Sequence, residues 1–119
     1  MIISVTPMGA PRMTQRDRWK GRPVVERYHA YKDVVKLSLP GYVLPPVLKI
    51  EFHIALPKSY SSKKKLSLYG QYHSEKPDID NLVKGFMDCF GSDAHVAVLH
   101  AGKYWCVEGE APCIVLGET

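Results

Sequence analysis

The segment KPDIDNLVKGFMDCF, Lys76 to Phe90, sets two aspartates two residues apart and a lysine one helical turn further on. Two carboxylates held close repel each other unless a cation lies between them. Hard cations such as Mg²⁺ take carboxylate oxygens while keeping part of their water. On an ideal helix two residues are separated by roughly 200° of rotation, so Asp78 and Asp80 converge only if Asp78 lies outside the helix, in the approaching loop. Pro77 suits that arrangement. The same residues also suit an ordinary helix start, with Asp78 as N-cap, Asp80 in the first turn and Asp80 paired with Lys84. A further acid, Asp93, reaches the end carrying Asp78 and Asp80 if the strand after it runs back along the helix. Asp88 does not compete for that place, because it lies about 12 Å along the axis from Asp80.

These side chains need a rigid support, and the apolar pattern supplies one. Ile79, Leu82, Val83, Phe86, Met87 and Phe90 form a stripe at helical spacing, which predicts a helix packed on a sheet. Strict alternation of Leu48, Ile50, Phe52, Ile54 and Leu56 with Lys49, Glu51 and His53 predicts a strand with one face on the core. HVAVLHAGKYWCV, from His95, predicts a second strand paired against it, and a weaker one is expected over Pro112 to Leu116. MIISVTP predicts a short strand, and Val24 to Leu37 a helix with Val24, Tyr28, Tyr31 and Val35 on one face. SYSSKKKLSLYG predicts a short helix that Gly70 ends. The economical arrangement is one α+β domain over residues 1–119.

Composition narrows the function. With 45% hydrophobic and 24% charged residues the chain is a globular protein, not a disordered one. No apolar run approaches a membrane span, and the N-terminus lacks a signal-peptide pattern, so a cytoplasmic location is expected. The net charge of +4 is unevenly placed. Arg12, Arg16, Arg18, Lys20, Arg22, Arg27, Lys32 and Lys36 crowd the first third, while only acids follow Lys103. Lys63, Lys64 and Lys65 form a second basic cluster, and Lys76 a further cation ahead of the acids. A basic half suits either an anionic partner such as nucleic acid or a solvated face. Trp19, among the arginines, suits stacking on an exposed base or anchoring a loop. Cys89, Cys106 and Cys113 lack the paired spacing of a zinc site or disulfide framework and read as small buried hydrophobes. His73, His95 and His100 are not spaced as a metal triad.

KPDIDNLVKGFMD, followed by SDAHVAVLHAGK, resembles the RusA family of Holliday junction resolvases of bacteria and their phages. The resemblance extends through IALPKSYSSKKKLSLYGQYHSEKPD and, more loosely, VTPMGAPRMTQRDRW. It implies a homodimeric α+β endonuclease, a small mixed β-sheet packed against two or three helices. It also implies Mg²⁺-dependent cutting of branched DNA that leaves 5′-phosphate and 3′-hydroxyl ends, with Mn²⁺ as a substitute metal. Carried over by position, Asp78, Asp80 and Asp93 become the metal-binding acids and Lys84 the essential lysine, while Asn81 holds the motif's local hydrogen bonding. Arg12, Arg16, Arg18, Lys20, Arg22, Lys63, Lys64, Lys65 and Lys76 become phosphate contacts as a group. The chain departs from the family pattern where Ser92 replaces the first of two acids, after a shortened Asp88–Asp93 segment. A branched-DNA-binding protein with weakened cleavage is the alternative from a different class. A nucleotide phosphoesterase is disfavoured, because the basic residues exceed what one phosphate needs.

Overall fold

The alternating residues after Pro46 form a strand with Leu48, Ile50 and Phe52 buried and Lys49 and Glu51 exposed. In the computed structural model, which describes residues 1–11, 23–91 and 93–117, that strand is central. In chain order the described elements are β1 (Ile2–Ile3), α1 (Pro23–Ser38), β2 (Val47–Ile54), α2 (Ser62–Leu68), α3 (Ile79–Met87), a 3-10 turn (Asp88–Phe90), β3 (Val98–Trp105) and β4 (Cys113–Leu116). The four strands make one mixed sheet in the order β1-β4-β2-β3. β1 and β2 each run antiparallel to β4, whereas β3 pairs with β2 in parallel. The α+β architecture agrees with the sequence expectation. No helix among the described residues is long and apolar enough to cross a membrane.

One face of the sheet meets the helices. Ile3, Leu48, Ile50, Phe52, Ile114 and Leu116 pack with Tyr28, Tyr31, Val35, Leu82, Val83 and Phe86 in a single buried cluster. Burying a large apolar side chain stabilises by about 1.5–3 kcal/mol, so this contact holds α1 and α3 on the sheet. The expected stripe on α3 is present with one exception: Ile79 is 37% exposed, because the first turn projects past the core. On α1 the buried position is Val25 rather than Val24, and the helix extends to Ser38. Leu56 lies beyond the end of β2, and His95 to Ala97 precede β3.

Gly85 sits in the interior of α3, where glycine costs roughly 1 kcal/mol relative to alanine. The reason is a close approach by another segment. A Cβ at Gly85 would lie 2.8 Å from the Met8 carbonyl oxygen and 3.4 Å from the Ala10 amide nitrogen. The Ala10 amide also donates to the Asn81 carbonyl at 3.2 Å. Residues 8–10 therefore lie directly on α3. Gly85→Ala should lower stability by about 1–3 kcal/mol despite alanine's better propensity. A urea midpoint that rises in this variant would contradict the contact.

The chain between β3 and β4 is tied back to β2 by His53 and Glu110, whose Nδ1 and Oε2 lie 2.6 Å apart. Burial alone lowers the His53 pKa, but hydrogen bonds and charge from Glu110 and Glu51 outweigh it and raise the value above 6.5. Burial alone raises the Glu110 pKa, but hydrogen bonds from His53 and the Val107 amide, with the His53 charge, hold it below 4.5. A raised histidine stabilises below its unfolded pKa and loses that contribution as pH rises through the folded value. A depressed carboxylate stabilises above its unfolded pKa and loses it as pH falls through the folded value. The two contributions overlap between 4.5 and 6.5. In EDTA-containing buffer, the melting temperature lost in Glu110→Gln should be greatest at about pH 5.5 and shrink by about pH 8.5. A loss that is constant with pH would rule out the charged pair.

Candidate active site

Asp78 is the N-cap of α3, with extended backbone (φ −68°, ψ 148°), and its carboxylate makes no capping hydrogen bond. The side chain is thus outside the helix, as convergence with Asp80 requires. The cap is made by backbone alone, through the Leu82 amide donating to the Asp78 carbonyl at 3.1 Å. Asp80, in the first turn, accepts a hydrogen bond from the Asn81 amide at 2.9 Å. Asp78, Asp80 and Lys84 are all exposed. Among the described residues the side-chain ion pairs within 4 Å are those of His53, so Asp80 and Lys84 do not form the helix pair that an ordinary exposed helix would use.

The loop that delivers Asp78 is held from β3. The Lys103 ammonium donates to the carbonyls of Glu75 and of Pro77, the latter at 2.8 Å. The His73 amide in turn donates to the Lys103 carbonyl at 3.1 Å. His73 is buried against the Trp105 ring, with centroids 4.3 Å apart, and burial followed by the Lys103 charge lowers its pKa. Lys103 thus spends its charge on two backbone oxygens immediately before Asp78. Its position in AGKYW offers no sign of this role, since the acceptors lie 26 and 28 residues away.

α2 is fixed to the same end of β3. Its N-cap is Ser61, which accepts from the Lys64 amide at 3.2 Å. Gly70, with φ 72°, ends the turn beyond it, and its amide donates to the Trp105 carbonyl at 3.2 Å. The Tyr60 hydroxyl donates to the Glu75 carboxylate at 3.1 Å, and the Lys64 ammonium lies 3.7 Å from the centre of the Tyr60 ring. Lys63 and Lys64 are exposed, Lys65 is half-buried, and Lys76 is exposed. These four cations therefore stand on a scaffold continuous with Asp78. Arg12, Arg16, Arg18, Trp19, Lys20 and Arg22 lie outside the described residues.

Asp93 stands apart. Its carbonyl accepts from the Val96 amide, and the next two amides, of Ala97 and Val98, donate to the Pro46 carbonyl, where β2 begins. Lys103, five residues along β3 and about 16 Å of strand rise from Val98, marks the other end, where Asp78 lies. Asp93 precedes β3 by five residues, on the turn into the end of the strand that pairs with Val47. Among the described residues, Asp78, Asp80 and Asp93 do not bring three ligand atoms within 4.8 Å of one another. Asp88 is engaged elsewhere, accepting from the Tyr28 hydroxyl at 3.0 Å and so tying α3 to α1. His95 bonds to the Leu44 carbonyl, which gives it a local structural partner.

A model of the endodeoxyribonuclease RusA family matches residues 4–105. The chain belongs to the RusA family. The match runs from just after β1 to the last residue of β3, and it includes α3 and the loop that Lys103 holds. RusA is a family of Holliday junction endodeoxyribonucleases, so the exposed acids and lysine of α3 stand in a nuclease chain. No curated protein and no solved structure gave a significant match.

Removing the Lys103 ammonium should free the loop rather than unfold the sheet. Lys103→Met is expected to speed hydrogen exchange at residues 74–78 while lowering global stability by only about 1 kcal/mol. Unchanged exchange in that segment would mean the two carbonyls do not depend on Lys103.

Proposed function

We propose that this chain is a structure-specific endodeoxyribonuclease that resolves Holliday junctions or related branched DNA by Mg²⁺-dependent hydrolysis, leaving 5′-phosphate and 3′-hydroxyl ends. The observation that supports this most is the state of Asp78, Asp80 and Lys84 in a RusA-family chain. All three are exposed on a helix anchored by its opposite face, with the Asp78 carboxylate unused by the cap and Asp80 and Lys84 unpaired. Hard oxygen donors of this kind fit Mg²⁺, with Asp78 and Asp80 as the first ligands and Asp93 as the third carboxylate. Bound there, the metal would polarise the scissile phosphate and lower the pKa of an attacking water; Mn²⁺ fits the same donors.

The remaining roles belong to the chain itself. Lys84 places positive charge beside the phosphate, where it counters the charge that develops as the bond breaks. Lys103 positions Asp78 through the loop carbonyls. Lys63, Lys64, Lys65 and Lys76, with Arg12, Arg16, Arg18, Lys20 and Arg22, supply phosphate contacts that set orientation without reading sequence. Ala10, two residues ahead of the basic segment in the sequence, is bonded to α3 at Asn81, the residue after Asp80.

Resolution takes two symmetrical cuts, and one acidic cluster makes one, so the working form is a homodimer. Beside Asp80 and Lys84 an open groove of about 490 Å³ is walled by Ile79, Val83, Met87, Leu99 and Ala101. Such an apolar strip beside a charged site suits contact with a second copy. That Asp78, Asp80 and Asp93 do not gather their ligand atoms within 4.8 Å of one another favours one other reading, a branched-DNA-binding protein in which cleavage is weak.

Cleavage of a labelled four-way junction against a matching duplex, with and without Mg²⁺, distinguishes these readings. The nuclease nicks the junction symmetrically only with the metal; equal cutting of both substrates would exclude a resolvase. Asp80→Asn should abolish cutting while junction binding persists or tightens. Lys84→Ala should lower the rate at saturating Mg²⁺ by roughly 10²–10³-fold. As a purely structural helix pair, either change would cost only about 0.5 kcal/mol of stability. Full activity in folded Asp80→Asn would remove the metal assignment, and sedimentation as a monomer with junction bound would remove the dimer.

A further inference from the structure

On the sheet face away from the helices, register brings together three side chains of a different chemistry from the acids of α3. His53 of β2 pairs directly with Cys113 of β4, and Glu110 arrives from the loop that precedes β4. One imidazole nitrogen, one carboxylate oxygen and one thiol sulfur lie within 4.8 Å of one another. His53 Nδ1 is 2.6 Å from Glu110 Oε2, and Cys113 Sγ is 3.8 Å from that same oxygen. We propose that His53, Glu110 and Cys113 form a binding site for a thiophilic divalent cation, Zn²⁺ in chemical type, separate from the carboxylate site on α3.

The donor set decides the metal. Nitrogen, oxygen and thiolate together suit borderline-soft Zn²⁺, whereas Mg²⁺ takes oxygen alone. In a tetrahedral zinc site, neighbouring donors lie about 3.4–3.6 Å apart. The sulfur needs to close on Glu110 Oε2 by only about 0.2 Å, and the histidine–glutamate contact to widen by less than about 1 Å.

Each donor is also oriented from behind. Glu51 Oε1 lies 3.4 Å from His53 Nε2, where it accepts the ring proton and leaves Nδ1 for the metal, the arrangement usual for metal-bound histidine. Glu110 Oε1 accepts from the Val107 amide at 3.0 Å, which leaves Oε2 facing the histidine and the thiol. Cys113 is buried, and its backbone is fixed by the β2–β4 pairing. Burial and the Glu110 carboxylate keep its thiol protonated without metal, so binding forms the metal–sulfur bond and releases to solvent that proton and, where His53 is charged, the proton on its Nδ1. His53 and Glu110 side chains retain 20% and 24% exposure, which leaves a path for the ion and a fourth position for water. Glu110 and Cys113 lie beyond residue 105, where the family match ends, whereas His53 lies within it.

The test uses the full-length protein, reduced, stripped with EDTA and then exposed to ZnCl₂ or CoCl₂ in the presence of millimolar Mg²⁺. One zinc per chain should survive gel filtration, and Co²⁺ should give a thiolate charge-transfer band in the near ultraviolet. Loss of a supporting residue outside the ligand set costs metal sites about 10- to 100-fold in affinity, so Cys113→Ser and His53→Ala should each lose at least that much. The cobalt band should vanish in Cys113→Ser. His100→Ala, an exposed histidine on the same face, and Asp80→Asn should bind zinc as the parent does. Circular dichroism identifies any variant that fails to fold, and Glu110→Gln then serves as the second ligand variant. No retained zinc in the parent protein, a cobalt complex without the thiolate band, or zinc lost equally in Asp80→Asn would each overturn the site and leave an ion pair only.

Discussion

Parallel pairing of β2 with β3 is the constraint on which the rest of the structure depends. Two parallel neighbours cannot be joined by a hairpin; the chain must leave one end of β2 and return to the other. Here that return spans residues 55–97 and contains α2, the loop through Pro77, α3 and the 3-10 turn. Every acid and lysine proposed for chemistry or phosphate contact among the described residues lies on this crossover. Its two ends are pinned to the β2–β3 pair, by Trp105 and Lys103 of β3 at one end and by the Pro46 carbonyl, just ahead of β2, at the other. The active surface is thus a connection stretched over one strand and weighted down by the apolar face of α3.

The crossover also explains the division between Asp78 and Asp93. The first lies where the crossover enters α3, the second on the turn that leads into β3. Burial of Leu82, Val83 and Phe86 keeps the helix between them in place. Asp78, as the N-cap, stands outside the helix just ahead of Asp80 in its first turn.

Local patterns made much of this readable in the residues. Alternation of Leu48, Ile50 and Phe52 marks β2, and the 3.6-residue stripe from Leu82 to Phe86 marks α3, because burial on one face imposes those periods. The same stripe overstates Ile79, since periodicity does not tell where the core stops. The spacing of Asp78 and Asp80 after a proline is legible as a cap that leaves both carboxylates outward. Contacts made by distant partners were not legible. Lys103 reads as an alternate residue of a strand, and only the parallel register puts its ammonium under Glu75 and Pro77. Cys113 reads as a small hydrophobe, which its burial supports, yet its sulfur meets Glu110 and His53 through the β2–β4 register. Nothing in the spacing of 53, 110 and 113 encodes that.

The sheet joins segments from opposite ends of the sequence: Ile3 pairs with Ile114, and β4 lies between β1 and β2. Closing so long a loop costs more entropy than any contact within the crossover, and contacts of high sequence separation form slowly. During synthesis, β2, the crossover and β3 are all available before β4 emerges, so the acid-bearing block has its partners early, while residues 1–10 have none in the sheet. Only when Cys113 to Leu116 insert do Ile2 and Ile3 acquire a strand to pair with. On a nascent chain the acids of the crossover thus have their neighbours before the sheet has gained its first strand.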